Sequence, residues 1–236
     1  MSNKPNTIHL LAIGCSCVGK SSISDRFCKG TFSPNLMNTV GIDYRTRTIQ
    51  LKTKKLKITI WDTAGQDHAR VLPATTIRKA EGILFVFGVD DQNTVNKLKD
   101  HIEACKEIIP ENSPVIIVGN KIDINNREVT EFEGKKFADK IEYEYFETSA
   151  LSGKGVDIAF FYIIRKIMVK KGYELDEFDE YVRKTLKEEN DISRYNTLIE
   201  KMKKETVEKI SNKEDSELNG ITITKMDIRK KDSCSC

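Results

Sequence analysis

Gly14-Cys15-Ser16-Cys17-Val18-Gly19-Lys20-Ser21 matches the pattern G-x-x-x-x-G-K-[ST] at every defined position. A short apolar run, residues 8–13, precedes it, and residues 21–29 after it have the pattern of a helix. Glycines at both ends let successive backbone N–H groups point inward, and the helix N-terminus adds partial positive charge. Strand, glycine loop and helix in this order predict a cradle for phosphate groups. In such a cradle Lys20 reaches the β- and γ-phosphates, and the Ser21 hydroxyl holds Mg²⁺.

The composition of the whole chain is that of a globular protein, with 236 residues of which 39% are hydrophobic and 32% charged. The net charge of +3 is too small, for this length, to indicate a nucleic-acid partner. No apolar stretch approaches the roughly 18 residues of a membrane span, and the polar residues 1–7 lack the apolar region of a signal peptide. We therefore expect a cytosolic chain. The six cysteines fit neither a disulfide framework nor a zinc site.

Further strands and helices follow along the chain. Alternating residues predict a hairpin, with its first strand at a sheet edge, at 44–51 and 55–61. Continuous apolar runs typical of buried strands occur at 82–89 and 114–119, and a last short strand is expected at 143–146. Helical periodicity predicts helices near 93–109 and at 156–169, the second with a broad apolar face.

Two loops beside this framework contain residue types that can respond to a γ-phosphate. Thr39 lies between the first helix and the hairpin, where a γ-phosphate and its Mg²⁺ would draw in the hydroxyl. A solvated loop threonine is the alternative. Asp62 ends the second hairpin strand and can hold Mg²⁺ through water, while Gly65 offers a backbone N–H to the γ-phosphate. Gln66 is placed to orient an attacking water molecule.

The phosphate loop, Thr39 and Asp62-x-x-Gly65-Gln66 together resemble the motifs of the Ras-like small GTPases. Asn120-Lys121-Ile122-Asp123 follows a buried strand, and a carboxylate at Asp123 can accept both N1–H and the exocyclic amine of guanine. Adenine cannot offer that pair of donors, so the sequence predicts selection of guanine over adenine. The resemblance implies that Asn120 and Lys121 brace this site. It also implies that the Ala150 N–H contacts guanine O6 and that Ser149 shapes the surrounding loop.

The resemblance covers residues 8 to about 170 and implies a doubly wound α/β fold, a mostly parallel six-stranded sheet with flanking helices and the nucleotide at the carboxyl ends of the strands. We expect a small GTPase domain at 1–170 and a charged, partly helical or disordered C-terminal extension at 171–236. Lys20 and Gln66 are the expected catalytic residues, and Ser21, Thr39 and, through water, Asp62 the expected Mg²⁺ residues. The residues implied to contact GTP or GDP are Ser16, Cys17, Val18, Gly19, Lys20, Ser21, Ser22, Phe32 (by its aromatic edge), Thr39, Gly65, Asn120, Lys121, Asp123, Ser149 and Ala150.

Two segments point to the Rab type within this family. Thr39-Val40-Gly41-Ile42-Asp43-Tyr44 resembles the T-I-G-V-D-F effector segment of Rab proteins. Cys234-Ser235-Cys236 resembles their C-x-C ending, which receives two geranylgeranyl chains, enough for stable anchoring. Without that resemblance, Cys234 and Cys236 would be interpreted as incidental thiols or palmitoylation sites.

The Rab resemblance implies a switch that binds Mg²⁺-GTP, recruits effectors in vesicle and membrane trafficking, and hydrolyses GTP slowly. Implied partners are an exchange factor, a GTPase-activating protein (GAP), the prenylation and escort machinery, a GDP-dissociation inhibitor and effectors, but no nucleic acid. The implied location is the cytoplasmic face of an endomembrane, with cycling through the cytosol. The alternatives are a GTP-loaded membrane scaffold with negligible hydrolysis and, more weakly, an ATP-using kinase with the same phosphate loop.

Three features depart from the Rab pattern. Gly65-Gln66-Asp67-His68-Ala69 stands where the family usually reads G-Q-E-R-F, and the loss of aromatic residues in this region predicts an altered choice of regulators and effectors. Cys17 is either an inert small side chain or a reactive thiol beside Lys20. Helical periodicity at 175–186 and 192–202 predicts either an amphipathic extension that docks on the GTPase or a partner, or a solvated tether, which is the interpretation we adopt.

Overall fold

The structure is a computed structural model that describes residues 6–34, 39, 41–63, 72–186 and 188–204. Six strands and six helices alternate along the first part of the described chain. In chain order these elements are β1 (Asn6–Ile13), α1 (Lys20–Lys29), β2 (Ile42–Gln50), β3 (Lys55–Thr63), α2 (Ala74–Lys79), β4 (Gly82–Gly88), α3 (Gln92–Lys106), β5 (Val115–Asn120), α4 (Glu131–Lys140), β6 (Glu144–Thr148), α5 (Val156–Lys170) and α6 (Asp176–Thr185). A further helix spans residues 189–204.

The strands form one sheet in the order β2-β3-β1-β4-β5-β6. β2 pairs antiparallel to β3, and every other pairing is parallel. The predicted mostly parallel six-stranded sheet is therefore confirmed, as is the position of the first hairpin strand at an edge. Because the chain runs from β1 to β3 on one side and to β4 on the other, the carboxyl end of β1 lies at the switch point where such sheets bind ligands.

The central strands are buried on both faces, which is why they appear in the sequence as continuous apolar runs. All residues of β4 are buried, and so is the run at Leu10–Ile13 in β1. α5 packs on this sheet with an unusually wide apolar surface, since eleven of its fifteen residues are buried. The residues predicted for its apolar face are among them: Val156, Ile158, Ala159, Phe160, Ile163, Ile164, Ile167 and Met168.

α6 packs against α5, so the interpretation of residues 175–186 as a solvated tether is wrong. Phe178 and Val182 are 0% exposed, and the Phe178 ring meets the edge of Phe161 of α5 at 6.1 Å between centroids. The guanidinium of Arg165 in α5 donates two hydrogen bonds to Asp179, at 2.8 and 3.1 Å. Burial of the apolar face and a forked ion pair outweigh the charged composition of this segment.

The turn between β2 and β3 also contacts α6. Lys52 forms an ion pair with Glu180, and the backbone N–H of Thr53 donates to Glu177 at 3.1 Å. Arg47 of β2 donates to the Tyr181 hydroxyl at 3.2 Å. α6 therefore joins α5 to the edge hairpin of the sheet.

The chain divides into two compact units between residues 187 and 188, with α6 in the first and the helix at 189–204 in the second. The domain division at residue 170 stays a prediction. None of the helices in the described ranges has both the length and the apolar character needed to cross a membrane.

Candidate functional site

A cavity of about 470 Å³ opens at the carboxyl ends of the parallel strands, next to the phosphate loop. Most of the residues predicted to contact a nucleotide lie on its wall: Ser16, Cys17, Gly19, Lys20, Ser21, Ser22, Phe32, Thr39, Asn120, Lys121, Asp123 and Ala150. The fold thus brings together segments up to 134 residues apart, because β1, β5 and β6 all end at this edge.

The two glycines of the phosphate loop are required by close approaches of neighbouring atoms. A Cβ on Gly14 would lie 2.1 Å from the carbonyl oxygen of Val86 in β4, and one on Gly19 would lie 2.2 Å from Asn120 Nδ2. Gly19 also has φ +91°, which disfavours any L side chain. Cys17, between them, adopts φ +60° and is exposed at the cavity wall.

Lys20 is the first residue of α1, and its side chain curls back over the phosphate loop. Its ammonium donates hydrogen bonds to the carbonyl oxygens of Gly14 at 2.9 Å and Cys15 at 2.7 Å, and the residue is only 5% exposed. A positive charge is therefore held within the loop, beside the inward-pointing N–H groups that suit an anion.

Three side chains from separate segments converge beside the start of α1. The Ser21 hydroxyl donates to Asp62 Oδ2 at 2.5 Å and lies 3.0 Å from the Thr39 hydroxyl. Thr39 Oγ1 is also within hydrogen-bond distance of Asp62 Oδ2, at 3.4 Å. Asp62 itself is 0% exposed, and its Oδ1 is buried with no hydrogen-bond partner among the described residues.

This arrangement fits an octahedral Mg²⁺ ion. Two oxygen ligands at 2.0–2.1 Å and 90° from one ion are about 3.0 Å apart, and the hydroxyl oxygens of Ser21 and Thr39 are 3.0 Å apart. Within the described ranges, no cluster of three His, Cys, Asp or Glu side chains could hold a metal. Mg²⁺ usually takes few protein ligands and keeps several waters, and the two hydroxyls suit such a site.

The charge environment of Asp62 is set by burial and by its donors. Burial raises the pKa of the Asp62 carboxyl above its ordinary value, and the Ser21 hydrogen bond and the Arg45 charge oppose that rise. Arg45 Nη1 lies 3.0 Å from Asp62 Oδ2. For Arg45, burial alone would lower the pKa, but the carboxylates of Asp62 and Asp25 outweigh it and raise the pKa.

Asn120, at the end of β5, joins three loops of the cavity. Its amide nitrogen donates to the Val18 carbonyl at 2.9 Å, and its Oδ1 accepts from the Thr148 hydroxyl at 3.0 Å and from the Ala150 N–H at 3.3 Å. The side chain is 1% exposed, so this bracing is shielded from water. The adjacent Lys121 forms an ion pair with Asp90 at 2.6 Å.

Asp123 faces the cavity with one carboxylate oxygen already engaged. Its Oδ1 accepts a 2.5 Å hydrogen bond from Ser149, which is 0% exposed and also accepts from the Ser152 N–H at 3.0 Å. This orients the Asp123 carboxylate while Ser149 itself stays off the cavity wall.

Several expected residues are placed differently or lie outside the described part of the chain. Val18 is 1% exposed and off the cavity wall, and it contributes its carbonyl to Asn120 instead. Gly65, Gln66, Cys234 and Cys236 fall outside the described residues.

Other residues of the cavity were not predicted. Leu151 and Ile124 line it, and Leu151 is 53% exposed, as an apolar surface for a ring would be. Ile124 directly follows Asp123 and Leu151 directly follows Ala150, and this adjacency to predicted site residues is the signal that the sequence offered. Arg26 donates to the carbonyls of Ala150 and Leu151 at 2.8 and 2.6 Å, and a basic residue late in a helix gives no sequence signal for that role.

Comparison with known proteins gives consistent matches. The model of the Ras family matches residues 9–169. "Ras-related protein Rab-18-B" of Danio rerio is 40% identical over 167 residues, 70% of this chain and 82% of that protein. "Ras-related protein Rab-18" of Lymnaea stagnalis is 39% identical over 70% of this chain and 83% of its own length. "GTP-binding protein ypt2" of Schizosaccharomyces pombe is 37% identical over 72% of this chain and 86% of its own length.

Proposed function

Because the chain belongs to the Ras family and is a Rab-like small GTPase, we propose that its cavity binds GTP and GDP with Mg²⁺ and positions the γ-phosphate of GTP for hydrolysis. The observation that carries the proposal is the chemistry at the two ends of one cavity. Ser21 and Thr39 hydroxyls stand 3.0 Å apart at one end, and Asp123 is oriented by Ser149 at the other. These ends suit the phosphates and the base of one guanine nucleotide.

Selection of the base follows from Asp123. One carboxylate oxygen is engaged by Ser149, so the group has a fixed orientation toward the cavity. Guanine N1–H and the 2-amino group would donate to this carboxylate, while the Ala150 N–H, now 3.3 Å from Asn120 Oδ1, would donate to O6 instead. Adenine has no donor at N1 and would leave the carboxylate unpaired, so we expect discrimination of about 10⁴-fold.

The phosphate end would be organised by Lys20 and the loop N–H groups. We propose that Lys20 exchanges its contacts with the Gly14 and Cys15 carbonyls for β- and γ-phosphate oxygens. Mg²⁺, when bound, neutralises charge on those oxygens. Ser21 and Thr39 would hold it directly, and Asp62 would accept from its water.

Hydrolysis needs a water molecule in line with the bond to be broken. Gln66 would orient this water as it attacks the γ-phosphorus, while Gly65 donates its N–H to the γ-phosphate. The bond between the γ-phosphorus and its bridging oxygen breaks, and GDP and inorganic phosphate leave. We propose that the rate is slow until a GAP adds positive charge at the transition state.

The nucleotide proposal is tested with GDP, ADP and single-turnover hydrolysis of GTP by the full chain and by Gln66→Leu. Tight GDP binding, weak ADP binding and a measurable rate lost in Gln66→Leu are expected. Equal binding of ADP would contradict the base assignment. Equal, vanishing rates in both proteins would instead favour a GTP-loaded scaffold.

We further propose that the GTP state recruits effectors in vesicle trafficking, and that geranylgeranyl groups on Cys234 and Cys236 hold the protein on the cytoplasmic face of an endomembrane. The Rab-named relatives and the Rab-like segment at 39–44 support this. An exchange factor, a GDP-dissociation inhibitor and the prenylation machinery are then required partners. A tagged chain should become diffuse when Cys234 and Cys236 are replaced by serine, and unchanged membrane localisation would contradict lipid anchoring at these residues.

A further inference from the structure

Arg45 is half-buried although it lies on the edge strand β2. Its side chain is only 10% exposed, and it is surrounded by three carboxylates. Nη1 lies 3.0 Å from both Asp62 Oδ2 and Asp43 Oδ2. Nε lies 3.1 Å from Oδ1 of Asp25, a residue of α1. Arginine on an exposed edge strand is ordinarily solvated, so these contacts indicate a specific role.

The geometry of this cluster restrains Arg45 at more than one point. Asp25 belongs to α1 and also forms an ion pair with Lys29 at 2.7 Å, whereas Asp43 belongs to β2 itself. A guanidinium is planar and rigid, so ion pairs with carboxylates on α1, β2 and β3 restrict its position. Arg45 can therefore act as a fixed support for the remaining carboxylate, that of Asp62.

The two oxygens of Asp62 are used very differently. Oδ2 forms an ion pair with Arg45 and accepts hydrogen bonds from the Ser21 hydroxyl and, at 3.4 Å, from the Thr39 hydroxyl. Oδ1 is buried and has no hydrogen-bond partner among the described residues. Oδ2 is therefore the Asp62 oxygen nearest the Ser21 and Thr39 hydroxyls, and Arg45 contacts the carboxylate at that same atom.

We propose that Arg45 is a positioning residue for the magnesium site: it holds the Asp62 carboxylate, through Oδ2, beside the Ser21 and Thr39 hydroxyls, where that carboxylate would accept from metal-bound water. This inference rests on the proposed function. Arg45 touches neither nucleotide nor metal in this arrangement and acts through Asp62. Loss of such an outer partner typically weakens metal binding about 10- to 100-fold.

The charge of Arg45 has an effect on metal binding that opposes its positioning of Asp62. The positive charge of Arg45 repels Mg²⁺, so its removal would strengthen metal binding if charge outweighed orientation. Asp43 and Asp25 lie within 3.0 and 3.1 Å of the guanidinium and offset its charge. Orientation is therefore the effect that we expect to dominate.

The test is the Mg²⁺ dependence of GDP retention by the full chain. Protein loaded with N-methylanthraniloyl-GDP is diluted into unlabelled GDP at a series of free Mg²⁺ concentrations, and the release rate is followed by fluorescence. We expect Arg45→Gln to raise the midpoint Mg²⁺ concentration about tenfold or more. Arg45→Lys keeps the charge but loses the fork, and we expect an intermediate rise. In excess EDTA, all three proteins should release GDP at the same rate.

Arg47→Gln is the matched control, because Arg47 lies two residues along the same strand and forms an ion pair with Asp157 but has no contact with Asp62. It should leave the Mg²⁺ midpoint unchanged. Urea unfolding of each variant shows whether it is folded, and Asp25→Asn, which removes one support of Arg45, should raise the midpoint by less than Arg45→Gln.

Different results would contradict the metal site and the role of Arg45. If GDP release from the unmodified protein did not depend on Mg²⁺, the metal assignment itself would be wrong. If the unmodified protein responded to Mg²⁺ but Arg45→Gln and Asp25→Asn had the same or a lower midpoint, the role of Arg45 would be refuted. Faster release in EDTA as well as in Mg²⁺ would show a general structural role and would also overturn the proposal.

Discussion

Replacement of Phe178 by alanine should release α6 from the domain while leaving the central sheet intact. The Phe178 ring is 0% exposed and packs edge-on against Phe161, so its removal deletes apolar contacts at the centre of the α6 interface. A buried Phe→Ala change costs about 3–5 kcal/mol. Since about 1.4 kcal/mol corresponds to a factor of ten, the population of the undocked state should rise by at least about a hundredfold.

The assay is amide hydrogen exchange read by mass spectrometry. Peptides that cover Asp176–Thr185 should exchange at least about a hundredfold faster in Phe178→Ala than in the unmodified protein, until protection is lost. Peptides that cover β4 should still require a larger free energy of opening than those of α6, because the pairing of β4 with β1 and β5 does not involve α6.

Phe132→Ala is the control, because Phe132 is 73% exposed and the same atoms are removed without a buried interface. Its effect should stay within about 0.5 kcal/mol, or two- to threefold in rate. Unchanged exchange of α6 in Phe178→Ala would refute the packing argument. Equal free energies of opening for α6 and β4 would show that α6 opens only with the whole domain, contrary to the expectation.

Four further predictions concern a buried ion pair, two buried thiols and the backbone at Cys17. Asp179→Ala leaves Arg165, whose side chain is 4% exposed, without its forked partner, and should cost about 3–5 kcal/mol in urea unfolding; the double variant with Arg165→Met should recover most of this. Burial raises the pKa of Cys28 and Cys105 to about 11, so at pH 8 iodoacetamide should modify exposed Cys17 well before them, as read by mass spectrometry. Because an unfolded thiol ionises near pH 9.0, Cys105 also makes stability fall as pH rises from 9 to about 11, and Cys105→Ala should flatten that part of a urea-midpoint profile. Cys17→Gly should stabilise the protein by about 1 kcal/mol in urea unfolding, since it relieves φ +60° at a residue with a Cβ, and a loss of stability would contradict the strain.

The framework of the site was predictable because its signals are local. The strand before the phosphate loop extends over Asn6–Ile13, and α1 begins at Lys20, one residue before the predicted start. The apolar runs predicted at 82–89 and 114–119 are β4 and β5. In each case a short apolar run and its flanking glycine or polar residues are enough to define the element.

α4 was missed although the sequence carried a signal for it. Thr130-x-x-Glu133 is a capping box, and both of its hydrogen bonds are present, from the Glu133 N–H to Thr130 Oγ1 at 3.2 Å and from the Thr130 N–H to Glu133 at 2.9 Å. Weak apolar periodicity hides this helix, since only two of its ten residues are buried.

The sequence signal that α6 docks on the domain lies in α5. α5 contains Phe160, Phe161 and Tyr162 in succession, and a helix that is apolar on all sides must be covered on all sides. The sheet covers only one side of α5, so another element had to cover the rest. The ion pair of Asp179 with Arg165 could not have been foreseen, because pairing across two helices leaves no pattern in either one.

The contacts of Arg45 were equally inaccessible from the sequence. An alternating edge strand predicts that such a charged residue faces solvent. Only the packing of α1 across the sheet brings Asp25 to within 3.1 Å of it and encloses the cluster.

The direction of α6 determines how the domain would respond to a mechanical load applied to the chain beyond it. α5 ends at Lys170 and α6 begins at Asp176, and helices joined by so short a connection pack antiparallel, here with Asp179 on Arg165 and Tyr181 against Phe161. Tension on the chain after Thr185 would therefore pull at the far end of α6 and peel it away, first at Tyr181 and then at Asp179. Contacts that break one after another yield at lower force than contacts sheared together. α6, a helix of ten residues and about 15 Å, would thus detach at low force before the rest of the GTPase fold is loaded.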